Sequence, residues 1–173
     1  MKSQQNLSST IRTIGIDPGT AIMGWGVVAS EQGELHLVAA GVLTTPAGMP
    51  QPQRLLRLYD GLRELIAHHR PDDAAIEELF FGKNVNTALS VGQARGVAML
   101  ALAQAGLAIQ EYKPTVVKQA VAGYGGADKR QMQEMVRVTL NLASIPKPDD
   151  AADALAVAIC HAYAAPMLRR IAE

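Results

Sequence analysis

The segment from Ile11 to Thr44 restricts the fold more than any other part of the chain. It holds three strand-like runs: Ile11–Ile16 ending at Asp17, Ala21–Ala29 with the only tryptophan, Trp25, and Glu34–Thr44. Pro18-Gly19 and Gly33 supply the turns between them. Connections this short join only antiparallel neighbours, because a parallel pair needs a long crossover. The chain therefore opens with an antiparallel meander. A proline-rich loop, Pro46–Pro52, leads to Gln53–His68, where Leu55, Leu58, Leu62, Leu65 and Ile66 recur at helical spacing. Pro71 ends that helix, Ala74–Leu79 reads as a short buried strand, and a long helix runs from about Asn84 to Gln104. Leu107–Tyr112 is a further strand, Pro114 opens a helix, and Asp128 caps another that reaches Leu142. Pro146 and Pro148 bracket the approach to a last helix, which opens at Asp149. Three hairpin-linked strands followed by alternating helix and strand predict an α/β fold: a five-stranded mixed sheet with helices on both faces.

At 173 residues the chain has the size of one domain with a sizeable core. Residues 1–10 read as a flexible tail, 11–166 as the domain and 167–173 as a C-terminal tail. The apolar fraction of 49% excludes a disordered chain. A single cysteine, Cys160 in an apolar helical run, excludes a disulfide framework and points to a reducing compartment. Met1–Thr10 is polar and lacks the apolar centre of a signal peptide. The longest apolar stretches, Val97–Ala103 and Ala154–Ile159, read as too short to span a bilayer, so a cytoplasmic protein with no membrane partner is expected. Net charge is zero but unevenly spread: Gly82–Thr139 carries seven basic residues against three acidic ones. The remainder is acidic, and divalent cations bound there would leave a positive surface.

The acids are where chemistry is expected. Asp149-Asp150-Ala151-Ala152-Asp153 sets an acidic first turn against an apolar helix body, with Asp153 on one face with Asp149 or Asp150. Carboxylates in a first turn suit the helix dipole, but two at the edge of a buried stripe are costly without a cation. Asp17 closes the first strand, and Glu77-Glu78 stand on a strand between Ile76 and Leu79, with alternation placing one on each face. Three separate elements thus supply four or more carboxylates. Oxygen donors without His or Cys clusters suit Mg²⁺ or Mn²⁺ rather than zinc. Two such ions about 4 Å apart serve in-line displacement at phosphorus, so phosphodiester hydrolysis is the reaction class expected. His36, His68, His69 and His161 fall at no ligand spacing, and His68-His69 suit a helix C-terminus.

Phe80-Phe81-Gly82-Lys83-Asn84 follows the acidic strand directly, and two of the chain's seven aromatics meet there. One ring is expected to anchor the loop in the core and one to stack on a base. Lys113, Lys118, Lys129, Arg130 and Arg137 lie on the elements leading to the acidic helix, where they suit phosphate contacts. Phe80, Lys83, Lys118, Lys129 and Arg130 are the candidate DNA contacts.

Five segments in this order and spacing resemble the RuvC family of Holliday-junction resolvases, from about Ile14 to His161. They are Gly15-Ile16-Asp17-Pro18-Gly19, Ala75-Ile76-Glu77, Phe80–Asn84, Gly92-Gln93-Ala94-Arg95-Gly96-Val97 and Asp150-Ala151-Ala152-Asp153-Ala154-Leu155. The resemblance implies a ribonuclease-H-like fold, which the element order also suits. It implies a homodimeric endonuclease with two metal ions per site, nicking two opposed strands of a four-way DNA junction in recombination and repair. The RuvA–RuvB branch-migration complex is the implied partner. The resemblance assigns catalysis and metal binding to Asp17, Glu77, Asp150 and Asp153, choosing Glu77 over Glu78 and Asp150 over Asp149, which is left as the helix cap. It also places an aromatic at the junction centre at Phe80 and DNA contacts at Lys118 and Lys129. Some members carry His where this chain has Asp150, and Glu78 adds a carboxylate the family does not require. A nucleotide-binding domain of the actin and sugar-kinase type shares the Gly15–Thr20 turn but needs a second domain and a second phosphate loop. A non-catalytic junction scaffold would lack one of the four carboxylates.

Overall fold

A computed structural model of the chain describes residues 10–78 and 85–172. The meander forms β1 (Ile11–Asp17), β2 (Ile22–Glu31) and β3 (Glu34–Thr44). Next come α1 (Gln51–His69), β4 (Asp73–Glu77), α2 (Val85–Gln104) and β5 (Ala108–Tyr112). Three helices close the chain: α3 (Pro114–Ala122), α4 (Lys129–Thr139) and α5 (Asp149–Ala172). The sheet order is β3-β2-β1-β4-β5, with β1 antiparallel to β2 and parallel to β4. This is the ribonuclease-H-like arrangement expected.

Strand alternation divides the core in two. Ile14, Ile16, Ala74 and Ile76 face α1 and α2 and pack on Leu58, Leu62, Ala98 and Leu102. Ala75 and Tyr112 lie on the other face, with Leu155 and Ile159 of α5 and with residues of α3 and α4. Thr13, Gly15 and Asp17 share that second face, as do Asp73, Ala75 and Glu77, because side chains alternate along a strand.

Helix boundaries differ modestly from expectation. α1 starts earlier, with Pro52 in its first turn, where the missing N–H costs nothing. α4 opens on the expected Asp128 cap, which forms a reciprocal capping box with Gln131. It ends before Leu142 because Asn141 adopts φ 51°, a left-handed conformation that asparagine tolerates. α5 runs on through Pro166 to Ala172.

α5 corrects one expectation. Asp149–Ile171 is long and apolar enough to cross a membrane, since alanines carry the apolar run past Cys160 and His161. It is also mostly buried within the fold, the central core helix on its face of the sheet. Cys160 is buried there, and burial pushes its thiol up to about 11, which keeps it protonated and inert.

Candidate active site

α5 reaches the sheet closely because glycines line its path. A Cβ on Gly15 of β1 would lie 2.3 Å from the Ala154 carbonyl oxygen, and one on Gly24 of β2 would lie 2.0 Å from that of Asp150. Only a residue without a side chain permits this approach. Backbone contact at Asp150 and Ala154 thus fixes the first turns of α5 over the end of β1, where Asp17 sits.

Asp17 and Glu77 extend a parallel register that pairs Gly15 with Ala75 and Ile16 with Ile76. Both project toward α5. Glu78 falls beyond β4, where its N–H donates to the Tyr112 carbonyl at 2.8 Å. On the opposite face Arg95 of α2 pairs with Glu111 of β5, and its Nε donates to the Glu77 carbonyl at 3.4 Å.

The electrostatics show four carboxylates acting on one another. Burial, followed by the charges of Glu77, Asp153 and Asp150, pushes the Asp17 carboxyl up to about 7, with Lys129 pulling it down. Burial and the Asp153 charge raise Glu77, and Lys118 opposes them. Burial also raises Asp153, against the charge and hydrogen bond of Lys129.

Asp149 does not act as the expected cap. Its Oδ1 accepts from Lys147 Nζ at 2.8 Å, and Lys129 Nζ stands 3.4 Å from its Oδ2, so two ammonium groups claim the carboxylate. Lys129 Nζ stands 3.4 Å from Asp153 Oδ2, and the charge of Lys118 acts on Glu77. Arg130 is exposed on α4 and lines a groove with Tyr124 and Glu134. Arg137 is engaged within the fold by Glu134 and the Leu142 carbonyl. Phe80 and Lys83 lie outside the described residues.

Among the described residues, no three of these side chains stand close enough round one point to hold an ion as they are. The donor set nevertheless fits a hard divalent cation: all oxygen, drawn from three rigid elements, and left with raised carboxyls that a 2+ charge would lower. Asp17, Glu77, Asp150 and Asp153 are the residues that would hold it.

Sequence reasoning gave Asp73 no role of its own. Asp73 is buried at the other end of β4, bonded to Thr13 and Arg169 and facing His161. Its neighbour Asp72 accepts the Arg12 backbone N–H at 2.8 Å.

Comparison with known proteins matches residues 13–161 to the family described as crossover junction endodeoxyribonuclease RuvC. The protein of that name from Chloroflexus aggregans is 75% identical over 160 residues, covering 92% of this chain and 98% of that one. The one from a Roseiflexus species is 72% identical over 162 residues, covering 94% and 96%. Among solved structures, Thermus thermophilus RuvC in complex with a Holliday junction substrate superposes with a TM-score of 0.86 at 38% identity, over 91% of this chain and 96% of that one. The yeast mitochondrial Holliday junction resolvase Ydc2, at 16% identity and a TM-score of 0.67, shares the fold. With the matched region running from β1 through the acidic turn of α5, the chain belongs to the RuvC family of crossover junction endodeoxyribonucleases.

Proposed function

We propose that this chain resolves four-way DNA junctions by paired symmetric nicks, as a metal-dependent endonuclease of recombination and repair. The observation that carries the reading is the convergence of Glu77, Asp150 and Asp153 on Asp17, whose carboxyl is pushed up to about 7, in a chain of this family. Asp17 ends β1, between β4, which carries Glu77, and β2, where the Asp150 turn of α5 crosses Gly24, so it would be the ligand common to both sides of a bound metal pair. Two Mg²⁺ or Mn²⁺ ions held by these oxygens would activate a water and stabilise the leaving oxygen at phosphorus. Lys118 and Lys129 supply positive charge at the rim of the cluster, suited to a phosphate entering it. The relative solved on a Holliday junction supports junction DNA as the substrate. Phe80 is the proposed base-stacking aromatic, with Lys83 and Arg130 as further phosphate contacts.

One carboxylate cluster makes one nick, so paired nicks call for two clusters related by a two-fold axis. α2 presents a stripe suited to that dimer: Leu89, Gln93, Gly96, Leu100 and Ala103 are all exposed at helical spacing. Leu89 is 63% and Leu100 53% exposed, a cost in water that a second copy would remove. The RuvA–RuvB complex is the partner proposed to deliver the junction.

The test is substitution of the ligands. Asp17→Asn and Asp153→Asn should abolish cleavage of a four-way junction with Mg²⁺ or Mn²⁺ while junction binding persists. Cleavage near the wild-type rate in either variant would remove that residue from the site.

A further inference from the structure

We infer that Asp73, with Thr13 and His161, is a positioning group for the carboxylate cluster, an inference that rests on the nuclease reading above. Asp73, Thr13 and His161 are 7%, 2% and 6% exposed. Asp73 Oδ1 accepts from Thr13 Oγ1 at 2.5 Å. Its Oδ2 accepts from Arg169 Nη2 at 2.7 Å and faces His161 Nε2 at 3.3 Å. His161 Nδ1 in turn meets the Tyr112 hydroxyl at 2.9 Å. Burial pushes the Asp73 carboxyl up, but the bonds from His161, Thr13 and Arg169 outweigh it and leave the group below its ordinary range. Asp73 is therefore an ionised, directional acceptor inside the fold.

The elements it ties together are the ones that carry the four acids. Thr13 precedes Asp17 on β1, Asp73 precedes Glu77 on β4, and Thr13 pairs with Asp73 in the register. His161 follows Asp150 and Asp153 on α5. Thr13 to Asp17 spans roughly 13 Å of strand, and His161 back to Asp153 roughly 12 Å of helix. The polar group and the acid cluster thus close the two ends of one frame.

Between those ends Gly15, Ala75, Ala154 and Ala158 hold α5 close to β1 and β4 through small side chains, while Leu155 seats against Gly26 of β2. Hydrogen bonds at Asp73 add the directional tie on the β1–β4 side. A slip of one helical residue, about 1.5 Å, would carry Asp150 and Asp153 away from Asp17. Misplacement by about 1 Å can cost an enzyme up to about a hundredfold in rate, and loss of one of several ties is expected to cost less.

The test measures Mn²⁺ binding without DNA, by the loss of the free-ion spin-resonance signal, beside junction turnover and melting temperature. Asp73→Asn should weaken Mn²⁺ binding and lower kcat by about tenfold each, with KM for the junction within about twofold. Thr13→Val should move both in the same direction. Leu62→Ala, in the opposite core, should lower the melting temperature without changing Mn²⁺ affinity or kcat. Wild-type Mn²⁺ affinity and kcat in Asp73→Asn would overturn the inference, as would equal losses in Leu62→Ala. If Asp73→Asn does not fold, Thr13→Val decides by the same criteria. A wild-type protein that cleaves no junction would overturn the nuclease reading itself. A cleaving wild type matched by both variants would overturn this inference alone.

Discussion

Lys129 Nζ lies 3.4 Å from Oδ2 of Asp153, an ammonium held among carboxylates that otherwise repel one another. Carboxylate charge raises the lysine's own proton affinity against the opposing effect of desolvation. A cation at this spot competes with metal ions and attracts phosphate. Lys129→Met should therefore bind Mn²⁺ at least as tightly as wild type. It should bind junctions more weakly, with the log–log salt slope reduced by about 1. Anisotropy titrations across salt concentrations measure the slope, and an unchanged slope would place Lys129 off the DNA path.

The metal-free protein should be destabilised by its own active-site charge as pH rises. The Asp17 carboxyl lies at about 7 in the fold against an ordinary 3.8, so the fold favours its protonated form. Stability from this group is complete below pH 3.8 and is lost as pH rises through about 7. Asp17→Asn removes that loss. Without metal at pH 8 the variant should exceed wild type by on the order of 2 kcal/mol, with the difference vanishing near pH 4. Urea unfolding at the two pH values checks this, and a difference independent of pH would contradict it.

Gly24→Ala should cost both stability and cleavage. The added Cβ would meet the Asp150 carbonyl oxygen at 2.0 Å, so either β2 or the first turn of α5 must shift. Overpacking of this kind costs about 1–3 kcal/mol. Because the displaced turn carries Asp150 and Asp153, kcat should fall by more than the loss of folded protein explains. Full specific activity in the folded fraction would show that this turn tolerates displacement.

Gly96→Arg tests the dimer separately from the fold. Among the described residues a Cβ there meets nothing within 4 Å, so the fold leaves room for the side chain. In the exposed α2 stripe the same side chain would bury a charge between two copies. The variant should run as a monomer by light scattering, melt within a few degrees of wild type, and give single, unpaired nicks. A dimer that still pairs its cuts would move the interface elsewhere.

Much of the fold was legible because its signals are local. Pro18-Gly19 and Gly33 set the meander, and β3 runs from Glu34 to Thr44 as read. The choice between Glu77 and Glu78 came from family resemblance. The structure supplies a geometric counterpart: Glu77 is the last strand residue facing α5, and Glu78 lies beyond the strand. Asp149 read as a cap because acidic first turns usually serve that purpose, yet Lys147 and Lys129 reach it first. Asp73 was illegible for a different reason. Thr13 and Arg169, which bond to it, lie 60 and 96 positions away, and no local pattern distinguishes it from Asp72 beside it. Nothing local marks Gly15 and Gly24 as the points where α5 crosses the sheet.

The most direct test of the account incubates wild-type protein with a synthetic four-way junction, and separately with the matching duplex, in Mg²⁺, in Mn²⁺ and in chelator, then locates every nick. The expected result is two symmetric nicks in opposed strands of the junction, with either metal only, and an intact duplex. Equal cutting of duplex, or cutting that survives the chelator, would contradict it.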